Sequence, residues 1–103
     1  MADAAILQKI VHRIVEKAHP ERIVLFGSAA RNQTGPHGDI DLLIVKSGAH
    51  RRHLAMDLYE ELADVGVAVD LVVATPEDIE RFGNSPALVF ESALREGRVI
   101  YAA

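Results

Sequence analysis

The sequence predicts an α/β or α+β domain built around a small mixed sheet flanked by helices. Three observations predict it. Short apolar runs at residues 22–26, 39–46, 67–73 and 99–101 suit strands and are too short for core helices. The segments between several of them repeat apolar residues every three or four positions, which is helical spacing. Helix-capping and turn residues sit at the joints. At 103 residues the chain is expected to form one domain, residues 1–103.

Each element has a local cause. From Asp3 to His19, Ile6, Ile10, Ile14 and Val15 fall on one helical face, with Asp3 as N-cap and Pro20 as the stop. Arg22 to Phe26 is a β-branched run. Ala29-Ala30-Arg31 suits a short helix, and Asn32 to Gly38 reads as a loop through Gly35, Pro36 and Gly38. The strand 39–46 is apolar on both faces in its latter part, as a central strand is. Leu54, Leu58 and Leu62 mark a helix over 51–65, and 67–73 a third strand. Thr75-Pro76-Glu77-Asp78 is a helix start with Thr as cap, Pro in the first turn and acids at the positive end. Ser85-Pro86 repeats the device before a helix running to Glu96, which Gly97 stops.

Composition excludes several classes. The chain has no Cys, so it has no disulfide framework, thiol nucleophile or Cys-ligated zinc. Its formal charge is −4, from 11 basic and 15 acidic residues, which disfavours binding to nucleic acid through bulk charge. No apolar run approaches the roughly 20 residues of a membrane span. The N-terminus lacks a basic segment followed by an apolar stretch, so a cytoplasmic location is expected.

The chemistry lies in three carboxylates and a turn. Asp39 and Asp41 are two apart on one strand and share a face. Asp70 lies within an otherwise apolar strand, where an unpartnered carboxylate is costly. If the two strands are neighbours, all three anions converge, and a divalent cation relieves their repulsion. Oxygen-only ligands favour Mg²⁺ or Mn²⁺. Gly27-Ser28 sits at a strand-to-helix junction, where backbone amides and a hydroxyl suit phosphate. Each part alone is common: a Gly-Ser is usually a turn, an Asp-x-Asp a solvated strand start, and an Asp such as Asp70 can be a capping or paired residue at a strand end. Their joint order is the apparatus of phosphoryl or nucleotidyl transfer.

The segment Leu25-Phe26-Gly27-Ser28, ten residues, then Asp39-Ile40-Asp41, resembles the signature of the polymerase-β-type nucleotidyltransferase superfamily. It is most similar to the minimal nucleotidyltransferases, and the likeness continues through Asp70 and the tail Glu91 to Tyr101. The resemblance implies a polymerase-β-like fold and transfer of AMP from ATP to a hydroxyl. It implies that Asp39, Asp41 and Asp70 ligate two Mg²⁺ ions and that Asp70 helps activate the acceptor. It also implies that Gly27, Ser28 and Arg31 hold the triphosphate. The family often reads Gly-Ser-Arg-Ala-Arg-Gly here; this chain has Ala29 and Asn32 at the departures, which reduces charge near the phosphates.

Larger relatives carry an acceptor-binding domain, for which 103 residues leave no room. The resemblance therefore implies a partner chain: a helical HEPN-type toxin whose Tyr receives the AMP, with this chain as the antitoxin. Two alternatives stand beside it, a partner-binding or nucleotide-sensing module without catalysis, and adenylylation of a small molecule or tRNA end. Self-association through an apolar helix face is also open to so small a domain. His37 reads as a solvated loop residue, and His12 and His19 as surface residues. His50-Arg51-Arg52-His53 opposes the helix dipole and reads as a solvated or partner-facing end. Phe26, Phe82 and Phe90 read as core, and Tyr59 and Tyr101 as either partner contacts or rim packing.

Overall fold

The structure is a computed structural model and describes residues 4–27, 40–82 and 95–103. In chain order the described elements are α1 (Ala4–Ala18), β1 (Arg22–Phe26), β2 (Ile40–Val45), α2 (Arg51–Glu61), β3 (Val69–Ala74), α3 (Pro76–Phe82) and β4 (Arg98–Ala102). The strands form one mixed sheet in the order β3-β2-β1-β4. β2 and β3 run parallel, joined through α2, while β1 pairs antiparallel with β2 and with β4. The small mixed sheet with flanking helices agrees with the sequence expectation. The short helix at 29–31, the loop 32–38 and most of the helix expected before Glu96 lie outside the described residues, as do Asp3, the side chain of Phe82, and Phe90.

α1 buries Ile10, Ile14 and Ala18, a stripe at four-residue spacing. It stops at His19, whose φ of +47° is the left-handed conformation of a helix C-terminus, and Pro20 follows, buried. β1 and β2 contribute alternate residues to two clusters. Ile23, Leu25, Ile40, Leu42 and Ile44 join the main core beneath α1 and α2, with Leu58, Leu62, Leu71 and Val73. Val24, Leu43, Val45 and Ala74 form a smaller cluster on the opposite face, with Phe26, Val72 and Ile79 against it. β2 is thus central and apolar on both faces, as its sequence indicates.

Two boundaries differ from the sequence reading by two residues or more. α2 ends at Glu61 rather than near Val65, because Leu62 caps it and the chain then turns through Gly66 at φ +87°. β3 consequently starts at Val69, not Val67. The start of α2 also has an unexpected cap. His50 Nδ1 accepts from the His53 amide at 3.3 Å, and the two rings stack at 4.0 Å. At the far end, Arg13 of α1 donates to the Glu61 carbonyl at 3.1 Å and pairs with Asp64, tying the two helices together. Arg13 holds the Asp64 carboxyl below its usual range. Among the described residues no helix is long and apolar enough to cross a membrane.

Candidate active site

The site lies where β1 ends and β2 and β3 begin. Asp41 is directly opposite Asp70 in the parallel β2–β3 register, and Phe26 is opposite Asp41 across β1–β2. Directly opposed residues project to one face, so the row Phe26, Asp41, Asp70 crosses three strands on the face away from α1 and α2. Neighbouring strands run about 4.8 Å apart, which brings the two carboxylates together on that face. Asp41 is half-buried and Asp70 exposed.

Asp70 departs from the mid-strand placement and takes the strand-end position that the sequence also allowed. It is the second residue of β3, at the strand's opening, rather than a buried group in the middle of it. Its cost is correspondingly low, because water reaches the carboxylate.

Gly27 follows β1 immediately, at φ +72°. A Cβ at this position would come within 2.2 Å of Asp41 Oδ2. The missing side chain thus makes room for the carboxylate, and the positive φ turns the chain across it. Asp39, Ser28 and Arg31 lie outside the described residues, as does His37. Among the described residues no three His, Cys, Asp or Glu cluster as a metal site. The pair Asp41 and Asp70 fits a hard divalent cation in donor chemistry: two anionic oxygen donors, in register, one open to water. Two like charges so placed repel each other, and a cation held by them would reduce that repulsion.

The other titratable groups marked out by the sequence stand apart from this row. His12 and His19 are exposed on and after α1, and His12 pairs with Glu16 at 3.1 Å. Arg51 reaches Asp78 at 3.4 Å at the opposite end of the sheet. There Thr75 and Asp78 cap α3 reciprocally: Asp78 Oδ2 accepts from the Thr75 amide at 3.0 Å, and Thr75 Oγ1 from the Asp78 amide at 3.1 Å. Phe26 packs with the smaller cluster, as expected of a core residue. Tyr101 is half-buried against the core, in an apolar groove between α1 and β4. Tyr59 is 44% exposed, yet its hydroxyl accepts from the Leu71 amide at 2.8 Å, one residue from Asp70. No local pattern in the sequence marks that contact, since it joins a helix to a strand edge.

The pattern of the family "Polymerase beta, Nucleotidyltransferase" matches residues 8–103. This chain belongs to that family. Among solved structures it is similar to a candidate nucleotidyltransferase from Sulfolobus solfataricus, at 19% identity and a TM-score of 0.64, over 95% of this chain and 78% of that one. It is also similar to a structure described as a toxin-antitoxin with AMP-PNP, at 19% identity and a TM-score of 0.58, over 93% of this chain and 73% of that one. None of the curated proteins compared matches it. Family membership and the likeness to the Sulfolobus structure agree on the nucleotidyltransferase fold, so the resemblance drawn from Gly27-Ser28 and Asp39-Ile40-Asp41 led to the right family.

Proposed function

We propose that residues 1–103 act as one metal-dependent nucleotidyltransferase domain that passes AMP from ATP to a hydroxyl of a protein partner. The observation that carries this reading is Asp41 in register with Asp70, beside a Gly27 whose missing Cβ leaves room for the Asp41 carboxylate. In this reading Asp41, Asp70 and, from its sequence position, Asp39 hold two Mg²⁺ ions, with Mn²⁺ as a substitute. When bound, the cations neutralise the charge of the triphosphate and of the leaving group. Gly27 and Ser28 offer backbone and hydroxyl donors to the phosphates, and Arg31 adds a positive charge.

The reaction balances without a further reagent. The acceptor oxygen bonds to the α-phosphorus as the bond to the bridging β-oxygen breaks, and pyrophosphate leaves with that electron pair. The Asp70 carboxylate, open to water, takes the acceptor's proton. The row lies at the end of the sheet where Asp70 is open to water, so the acceptor hydroxyl approaches there.

A protein acceptor is supported by the likeness to the toxin-antitoxin structure with AMP-PNP. By resemblance we assign that acceptor to a Tyr of a helical HEPN-type toxin in the cytoplasm, silenced once it carries AMP. The test incubates this chain with labelled ATP and Mg²⁺, with and without the co-purifying partner, and reads AMP on the partner by mass. The Asp39→Ala, Asp41→Ala double variant is run alongside. Transfer by the parent chain and none by the variant is expected. If the variant neutralises the partner undiminished and the parent never transfers AMP, the chain is a binding module. If AMP passes to a small alcohol without a protein partner, the antitoxin assignment is wrong.

A further inference from the structure

We infer that Tyr59 is a positioning residue for Asp70, an inference that rests on the reading of Asp70 as a cation ligand. Among the described residues β3 is an edge strand, so half of its amides have no strand partner on the outer side. The phase of the β2–β3 ladder identifies which half. Ile40 N donates to Ala68 O at 3.0 Å and Lys46 N to Ala74 O at 2.9 Å, at the two ends of the pair. In a parallel ladder the carbonyls of residues 68, 70, 72 and 74 then face β2 and the amide of Leu71 points away from it. That amide donates to the Tyr59 hydroxyl at 2.8 Å.

The consequence falls on one peptide unit. Its carbonyl belongs to Asp70 and faces β2; its N–H belongs to Leu71 and is held by Tyr59. With both ends held, the rotation of this plane is fixed, and with it the backbone angle ψ of Asp70. The Asp70 side chain leaves the Cα bounded by that angle, so the hydroxyl of Tyr59 sets where the carboxylate stands relative to Asp41.

Tyr59 is itself well anchored. Leu58 beside it is fully buried, Leu62 is 5% exposed, and Arg13 ties down the Glu61 carbonyl at the end of the same helix. The hydroxyl is therefore presented by a rigid element, though much of the ring is in water.

The test compares the full chain with Tyr59→Phe, which keeps the ring and removes only the acceptor oxygen, and with Asp70→Asn. The probe is Mn²⁺ alone, with binding read by its paramagnetic spectrum. Hydrogen exchange at the Leu71 amide, thermal midpoints, and affinity for a fluorescent ATP analogue in EDTA are read in parallel. Tyr59→Phe is expected to weaken Mn²⁺ binding about fivefold, the scale of one lost neutral hydrogen bond, and to speed Leu71 exchange. Nucleotide affinity in EDTA is expected to stay unchanged. Unaltered Mn²⁺ affinity in Tyr59→Phe, with loss in Asp70→Asn, overturns the role of Tyr59 and leaves the ligand role of Asp70 standing. Equal Mn²⁺ affinity in the parent chain and Asp70→Asn overturns both. A parallel fall in metal and nucleotide affinity that follows a lowered thermal midpoint makes Tyr59 a stability residue only.

Discussion

The two faces of the sheet use the same strands for opposite ends. On one face Ile40, Leu42 and Ile44 of β2 are sealed beneath α1 and α2, each 1% exposed or less. On the other, Asp41 opens a line continued by Leu43 and Val45, and only the last two are buried. Alternation of side chains makes this division, so a one-residue slip of β2 would exchange core and carboxylate. Stability is thus concentrated beneath α1 and α2, while the carboxylates lie at an end of the other face where water reaches Asp70. The lesson is that β2 can carry an anionic site at little cost because its other face is fully committed to the core.

The strongest way to break this division is to damage the sealed face. Leu42→Ala removes a side chain with no exposure at the centre of the sheet. Loss of about 2–5 kcal/mol of stability is expected in denaturant unfolding, from lost transfer energy and the cavity left behind. Mn²⁺ affinity of the protein that remains folded should be unchanged; a matching fall would mean that the two faces are not independent.

A smaller and sharper effect comes from the glycines. Gly27, Gly48 and Gly66 all have positive φ, at +72°, +70° and +87°. A Cβ at Gly48 or Gly66 meets nothing within 4 Å, whereas at Gly27 it collides with the Asp41 carboxylate. Alanine at any of the three costs about 1–2 kcal/mol of backbone strain. Gly27→Ala alone should also weaken Mn²⁺ binding, by about ten- to a hundredfold, the scale for disturbing what orients a metal ligand. Equal Mn²⁺ affinities in the three variants would show that the fit of Gly27 to Asp41 has no bearing on the cation.

Much of this was legible before the structure. The Gly27-Ser28 and Asp39-Ile40-Asp41 spacing led to the family, and the strands at β1 and β2 follow from apolar runs bounded by Pro20, Gly27 and Gly38. The cap at Thr75 was legible because its signals are adjacent in sequence. What resisted were facts set by tertiary pairing. The adjacency of Asp41 and Asp70 needs β2 beside β3, which no local pattern states. Asp70 looked buried because Val67 and Ala68 precede it with strand-like character, yet Gly66 turns the chain so that pairing begins only at Val69. The contact of Tyr59 with Leu71 depends on the phase of a ladder at a sheet edge. The roles of Asp39, Ser28 and Arg31 rest on the sequence alone.

The smallest expected effect sits at the end of the sheet farthest from the carboxylate row, where Thr75 and Asp78 cap α3. Thr75→Ala removes one of the two reciprocal bonds and should cost about 1 kcal/mol. The same cap makes stability depend on pH. The Thr75 amide, above all, and the Thr75 hydroxyl and Arg51 hold the Asp78 carboxyl below its ordinary range. A carboxyl lowered in the folded state binds fewer protons there than when unfolded, so folding is favoured wherever it is ionised. The contribution is complete above the ordinary carboxylate range and fades as pH falls through the lowered value. Asp78→Asn should therefore lose stability at neutral pH and converge on the parent chain in acid. Asp70→Asn tests the contrast: relieving repulsion with Asp41 at a position open to water, it should leave the neutral thermal midpoint level or raised while abolishing Mn²⁺ binding. A lowered midpoint for Asp70→Asn would mean that the carboxylate row stabilises the sheet, and the division between a stabilising face and a chemical one would fail.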